Sequence, residues 1–137
     1  MLIPYEFLDH PADFKLRAFG KDLPELFINS ALGMMEYLFG KNVFLKATVN
    51  SELIQITSDS RESLLVDWLS RILYLVETQH CAYTHYSVSK FSDTEIEAKA
   101  GFIQAQSLEG IKAVTYNELS IYKTDDNIWT ATMVFDI

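Results

Sequence analysis

Between Asp59 and Val76 apolar residues recur at helical spacing, and this stretch restricts the fold more than any other. Leu64, Leu65, Trp68, Leu69, Ile72, Leu73 and Val76 fall on one face. A helix with such a stripe must bury it against another element, and the chain that follows supplies strands. The segments 81–91, 94–105, 113–123 and 128–136 all read as strands. Ser92-Asp93 and the run Thr124 to Asn127 carry turn chemistry between them. Loop chemistry over 104–111 separates two of the strands, and Lys112 follows it at once.

The first half repeats the theme. Residues 3–8 form a short apolar run that predicts a first strand. Pro11 then holds His10 extended or in a turn. From Phe14 the alternation resumes, with Phe14, Leu16 and Ala18 on one side and Lys15 and Arg17 on the other, ending at Gly20. Asp22 with Glu25 three residues on predicts a capped helix start, Pro24 suits its first turn, and Gly40 suits its end. Its apolar face is Leu23, Leu26, Phe27, Ala31, Met34 and Leu38. Residues 43–57 read as two strands, or one with a bulge, broken at Asn50-Ser51-Glu52; Asp59 with Glu62 predicts the start of the second helix. The expected architecture is α+β: one domain over 1–137, a two-layer sandwich with two main helices packed on a largely antiparallel or mixed β-sheet.

Charge and cysteine content narrow the chemistry. The 137 residues carry a formal net charge of −8, which argues against gripping nucleic acid directly, because that affinity comes from clustered Lys and Arg. It suits a cation site or a basic protein partner. With Cys81 alone, neither an internal disulfide nor a cysteine-based zinc site can form, and Cys81 itself reads as a small buried hydrophobe. The start Met1-Leu2-Ile3-Pro4-Tyr5-Glu6 lacks a basic leader, and no apolar run reaches the ~18 residues of a membrane helix, so a cytoplasmic protein is expected. Five scattered glycines give no phosphate-cradling loop.

Three kinds of residue stand out. Asp13 opens one strand and Asp136 closes the last, next to Ile137 and its carboxylate. Each carboxylate alone reads as a solvated strand end; brought together, the three would make the oxygen-rich set that Ca²⁺ or Mg²⁺ prefers. His10 shares a loop with Asp13, whereas His80 and His85 have no metal-ligand spacing. Lys112 precedes an apolar strand, where a lysine ordinarily snorkels into solvent. A local basic patch at Lys15 and Arg17 is the one place where RNA contact would fit the sequence.

Taken in order, these pieces resemble a family. His10-Pro11-Ala12-Asp13, Gly20 and the helix start Leu23-Pro24-Glu25-Leu26-Phe27 resemble the opening of an archease. Leu64-Leu65-Val66-Asp67-Trp68-Leu69 is similar to its second helix, Ile111-Lys112-Ala113-Val114-Thr115-Tyr116 to its most characteristic segment, and Phe135-Asp136-Ile137 to its ending. The chain departs from the pattern at Pro11, Phe102 and Asn117. The resemblance implies a protein cofactor rather than an enzyme. Archeases assist the RtcB-type RNA ligase of tRNA splicing and RNA repair, promoting its guanylylation and multiple turnover. It further implies a divalent metal ion, Ca²⁺ first with Mg²⁺ or Mn²⁺ as alternatives, on Asp13, Asp136 and Ile137, and a functional role for Lys112. The competing readings are a metal-dependent hydrolase using the same acids with His10, and a chaperone-like binding module.

Overall fold

The structure is a computed structural model that describes residues 3–137. The chain runs β1 (Tyr5–Leu8), β2 (Phe14–Gly20), α1 (Leu23–Phe39), a 3₁₀ turn (Lys41–Leu45), β3 (Asn50–Thr57), α2 (Arg61–Gln79), β4 (Cys81–Phe91), β5 (Glu95–Gln104), β6 (Ala113–Val114), β7 (Ser120–Lys123) and β8 (Trp129–Asp136). The α+β class with two helices on antiparallel strands is as the sequence predicts. The strands divide into two sheets rather than one. The larger has the order β1-β2-β8-β6, with β7 also on β8; the smaller has the order β3-β5-β4. Every pairing is antiparallel. The reading of Met1 and Leu2 as part of a leaderless start lies outside the described residues. No helix among the described residues is long and apolar enough to cross a membrane.

The α2 stripe is buried as its period demands: Leu64, Leu65, Trp68, Leu69 and Ile72 are fully enclosed. Trp68 ties the two helices together, its indole Nε1 donating to the Phe27 carbonyl at 3.0 Å. That bond satisfies the one polar atom the large ring carries into the core. On the other side, α1 lies on β2 so closely that a Cβ at Gly33 would stand 2.7 Å from Leu16 Cδ1. A Cβ at Gly20 would stand 2.5 Å from the backbone nitrogen of Leu26, so the turn from β2 into α1 has room only for glycine.

The helix α1 follows its local signals more closely than the segments after it. Asp22 accepts from the Glu25 backbone N–H at 2.9 Å, as predicted, although the returning Glu25 carboxylate takes the N–H of Lys21 rather than that of Asp22. Gly40 closes the helix at φ 82°, a conformation that costs glycine little. For α2 the cap is Ser60, which accepts from Ser63 N–H at 3.1 Å, not Asp59. The expected strand before residue 50 is absent: the 3₁₀ turn buries Val43 but leaves Leu45 in solvent, Val49 beyond it is exposed as well, and Asn50-Ser51-Glu52 begins a strand instead of breaking one. The expected strand 113–123 is two short strands. A turn that holds Glu118 at φ 55° separates them, and both pair with β8.

Candidate functional site

The register of β2 on β8 brings the two ends of the sequence together. Phe14 pairs with Phe135, so one residue further along stand Asp13 on one strand and Asp136 on the other. The two phenylalanine rings stack at 5.0 Å on the core side, and Phe14 stacks in turn on Tyr37 of α1 at 4.0 Å. Alternation along the strands turns the neighbouring carboxylates away from that stack. Asp136 is exposed and Asp13 is partly covered. On the far side of β8, β6 adds a third strand end: Ala113 pairs with Asp136, and the Lys112 backbone N–H donates to the Asp136 carbonyl at 2.7 Å. Three segments that the sequence scatters over more than 120 residues thus finish at one corner.

A strap crosses the outer face of the same corner. After β6, Thr115 donates both its N–H and its hydroxyl to the Val134 carbonyl, at 3.2 and 2.7 Å. The chain then turns and sends Glu118 back across β8. One carboxylate oxygen of Glu118 takes the Lys15 ammonium at 3.0 Å, and the other meets His10 Nε2 at 2.7 Å. The other ring nitrogen, Nδ1, is shielded from solvent and faces Asp13 Oδ2 at 3.5 Å, too long for a hydrogen bond. The hydrogen bonds from His10 and then Lys15 hold the Glu118 carboxyl below its usual range. Arg17, the other cation of the proposed basic patch, is likewise engaged, by Glu6 at 3.5 Å and the Thr132 hydroxyl at 3.3 Å.

Of the residues singled out in the sequence, Asp13, Asp136, Ile137, His10 and the Lys112 backbone therefore gather at one place. The Lys112 side chain borders a shallow groove with Ser70, Tyr74 and Glu77. His80 instead caps α2 in a left-handed conformation at φ 54°, and His85 is exposed on β4, where Nδ1 meets the Thr84 hydroxyl at 2.9 Å. Cys81 is buried, and burial first and the Glu52 charge second push its thiol up, which suits a packing role. Glu118 was missed. Its partners His10 and Lys15 lie 108 and 103 residues away, and only the strap's course reveals the contact.

Among the described residues no three side chains of His, Cys, Asp or Glu converge closely enough to hold a metal. Asp13 and Asp136 supply two carboxylates, and the set reaches three only with the Ile137 carboxylate, which is not a side chain. An all-oxygen set of this kind fits a hard cation and not zinc or copper.

Comparison with known proteins places the chain in a family. The model of the archease protein family matches residues 5–137. The protein archease of Methanosarcina barkeri is 39% identical, over 97% of this chain and 95% of its own. That of Methanothermobacter thermautotrophicus is 29% identical over 97% and 98%. Among solved structures, the solution structure of Methanobacterium thermoautotrophicum protein 1598 superposes with a TM-score of 0.77 at 28% identity, covering 98% of this chain and 99% of that one. The crystal structure of a Thermotoga maritima archease, described as a possible chaperone, shares the fold with a TM-score of 0.65 at 17% identity, covering 100% and 98%. The chain belongs to the archease family.

Proposed function

We propose that this protein is an activator of an RtcB-type RNA ligase in tRNA splicing and RNA repair, a protein cofactor that promotes ligase guanylylation and multiple turnover and is not itself an enzyme. One observation carries the reading: the β2–β8 register sets Asp13 beside Asp136 at an exposed corner, with the Lys112 backbone bonded to the same strand end. Family membership supports the choice of partner.

In this reading Asp13, Asp136 and the Ile137 carboxylate hold a divalent cation, Ca²⁺ in preference to Mg²⁺ or Mn²⁺. Such an ion supplies positive charge to the phosphate oxygens of the ligase's nucleotide. The stacked Phe14 and Phe135 rings fix the spacing of the two strand ends. Glu118 keeps the Lys15 ammonium drawn over β8, while the His10 ring stands between Glu118 and Asp13. Lys112 meets an acidic group or a phosphate on the ligase. The net charge of −8 steers the protein toward a basic surface, as the RNA-binding face of a ligase must be. The encounter takes place in the cytoplasm.

The test is reconstitution with the purified ligase and GTP, scoring ligase guanylylation and ligated RNA per ligase. Asp13→Asn and Asp136→Asn, each checked for unchanged melting, should abolish stimulation and lower calcium affinity in calorimetry. Adding a few residues after Ile137 should do the same in part. Full stimulation by both folded Asn variants sinks the proposal. The hydrolase reading is weaker, because His10 Nε2 is already engaged by Glu118. The chaperone-like reading draws on Leu45, Val49 and Leu53, which are 85%, 75% and 63% exposed.

A further inference from the structure

A second concave surface lies at the C-terminal ends of the two helices. There the loop 105–111 bridges α1 and α2. The Ala105 N–H donates to the His80 carbonyl at 3.2 Å, and the N–H groups of Leu108 and Glu109 both donate to the Leu38 carbonyl, at 2.7 and 3.2 Å. The bridge encloses a cleft of about 490 Å³. Its floor is apolar, formed by Leu38, Phe39, Leu73, Val76 and Ile111, and Glu77 and Glu109 stand on its walls.

The electrostatics of this cleft point one way. Neither helix has a basic residue in its last turn, so the negative end of each macrodipole meets backbone N–H groups of the loop rather than a side-chain cation within the turn. No Lys or Arg among the described residues lines the cleft; the one basic side chain on its lining is His80, the cap of α2. Glu77 and Glu109 are exposed and make no ion pair with any described residue. The Glu109 charge is felt as far as Tyr37, whose hydroxyl is pushed up by burial first and by that charge second. An apolar floor under two carboxylates and two helix C-termini favours an organic cation over a metal ion. Such a cation lays an aliphatic stem on Leu73 and Ile111 and leaves its charge at the rim.

The cleft does not stop at its own rim. It shares Leu73 and Glu77 with a shallower groove of about 260 Å³, bordered by Ser70, Tyr74, Lys112 and Val114. A two-part depression of this kind suits a length of polypeptide better than a compact metabolite. We infer that the cleft is a docking site for a protein segment that inserts a Lys or Arg side chain between Glu77 and Glu109, with apolar neighbours on either side. This surface uses none of the carboxylates proposed for the cation at the strand ends, so either proposal can fail without the other.

The probe is the peptide acetyl-Ala-Leu-Arg-Leu-Ala-amide, titrated into the ¹⁵N-labelled full chain and followed by amide chemical shifts. Three controls accompany it: the same peptide with citrulline for arginine, n-butylguanidinium, and the double variant Glu77→Gln/Glu109→Gln. Saturable shifts should map to the amides of Ala105, Gln106, Ser107 and Gly110. Affinity should fall about tenfold for the citrulline peptide and for the double variant, as two partly exposed charge pairs are lost, and should fall with added salt. The inference is overturned by absent or unsaturable shifts, or by equal binding of the arginine and citrulline peptides. Equal binding to the double variant, whose unshifted amides report its folding, overturns it too. If n-butylguanidinium binds as tightly as the arginine peptide, the cleft serves small organic cations and the protein partner is refuted.

Discussion

Phe135 is the residue through which the stability of the sheet and the alignment of the strand ends meet, and truncating it to alanine separates the two roles. Its ring is fully buried and stacks on Phe14 at 5.0 Å with 20° between planes. Phe14 is held from its other side by Tyr37 at 4.0 Å and from its edge by Phe7 at 5.1 Å. Removing a fully buried phenylalanine leaves a cavity that its neighbours fill only in part, a loss of ~3–5 kcal/mol. About 0.5–1.5 kcal/mol of that is the ring–ring term. Phe7, on the same stack but 45% exposed, has only about half its surface to lose. Its truncation should therefore cost ~1 kcal/mol. For a chain of this length, roughly 3–5 °C per kcal/mol translates these into a fall of ~10–20 °C for Phe135→Ala and ~4 °C for Phe7→Ala. Urea unfolding followed by tryptophan fluorescence reads both, since Trp68 is buried in the core. A loss of 1 kcal/mol or less for Phe135→Ala, or equal losses for the two variants, refutes the stack as the clamp. On the proposed ligase-activating function, Phe135→Ala should also, well below its lowered melting point, stimulate the ligase poorly although both carboxylates remain. Undiminished stimulation would show that something else aligns the strand ends.

Two further outcomes test the strap and the turns. The Glu118 carboxyl has its pKa lowered from 4.5 by His10 and Lys15, so the stability it contributes is present above 4.5 and is lost as pH falls through its lowered value. The difference between the parent and Glu118→Gln should accordingly be flat near neutrality and close only in the acid range below 4.5, read as urea midpoints over a pH series. A gap that persists undiminished far below 4.5 would contradict this. Gly20→Ala should destabilise by roughly 1–3 kcal/mol or more, because the added methyl meets only backbone atoms that cannot rotate away. Gly40→Ala, with only the Leu108 Cδ1 atom in ordinary contact at 3.9 Å, should cost about 1–3 kcal/mol through its backbone conformation alone; a loss well under about 1 kcal/mol for Gly20→Ala in melting curves would be evidence against the close approach at Gly20.

What the sequence revealed depended on how local the determinant was. The α2 stripe declares itself because seven residues repeat one period, and the resulting face is buried. Asp59 and Ser60 are both good caps one residue apart, and only backbone geometry decides between them. Val43 and Phe44 suggest a strand because short apolar runs fit either class, but both fall in the 3₁₀ turn that follows the α1 cap, and only Val49, whose N–H donates to the Phe102 carbonyl at 3.0 Å, reaches the sheet. The break inside 113–123 was hidden because Glu118 takes a left-handed conformation without the glycine or asparagine that normally signals one. Asp13 and Asp136 stand out as carboxylates at strand ends, and the family resemblance implies their shared role, yet their proximity rests on a strand register that no local pattern encodes. Glu118 had no signal at all: its contacts exist only once β6 and β7 both lie against β8.

The position of β8 in the larger sheet also bears on how the chain reaches this fold. Arg17 on β2 reaches its partner Thr132 on β8 across 115 positions, whereas β3, α2, β4 and β5 follow one another without interruption from Asn50 to Gln104. During synthesis the smaller sheet has all its strands early. The β2 edge must wait for those 115 residues, roughly 6–23 s at about 5–20 residues per second. For that interval β1, β2 and α1 form a unit with an open strand edge, the form of a chain most prone to pair with a neighbour. The pairing that brings Asp13 to Asp136 is thus also the one that closes this edge, and a chain in which it has not formed lacks both the corner and its protection against aggregation.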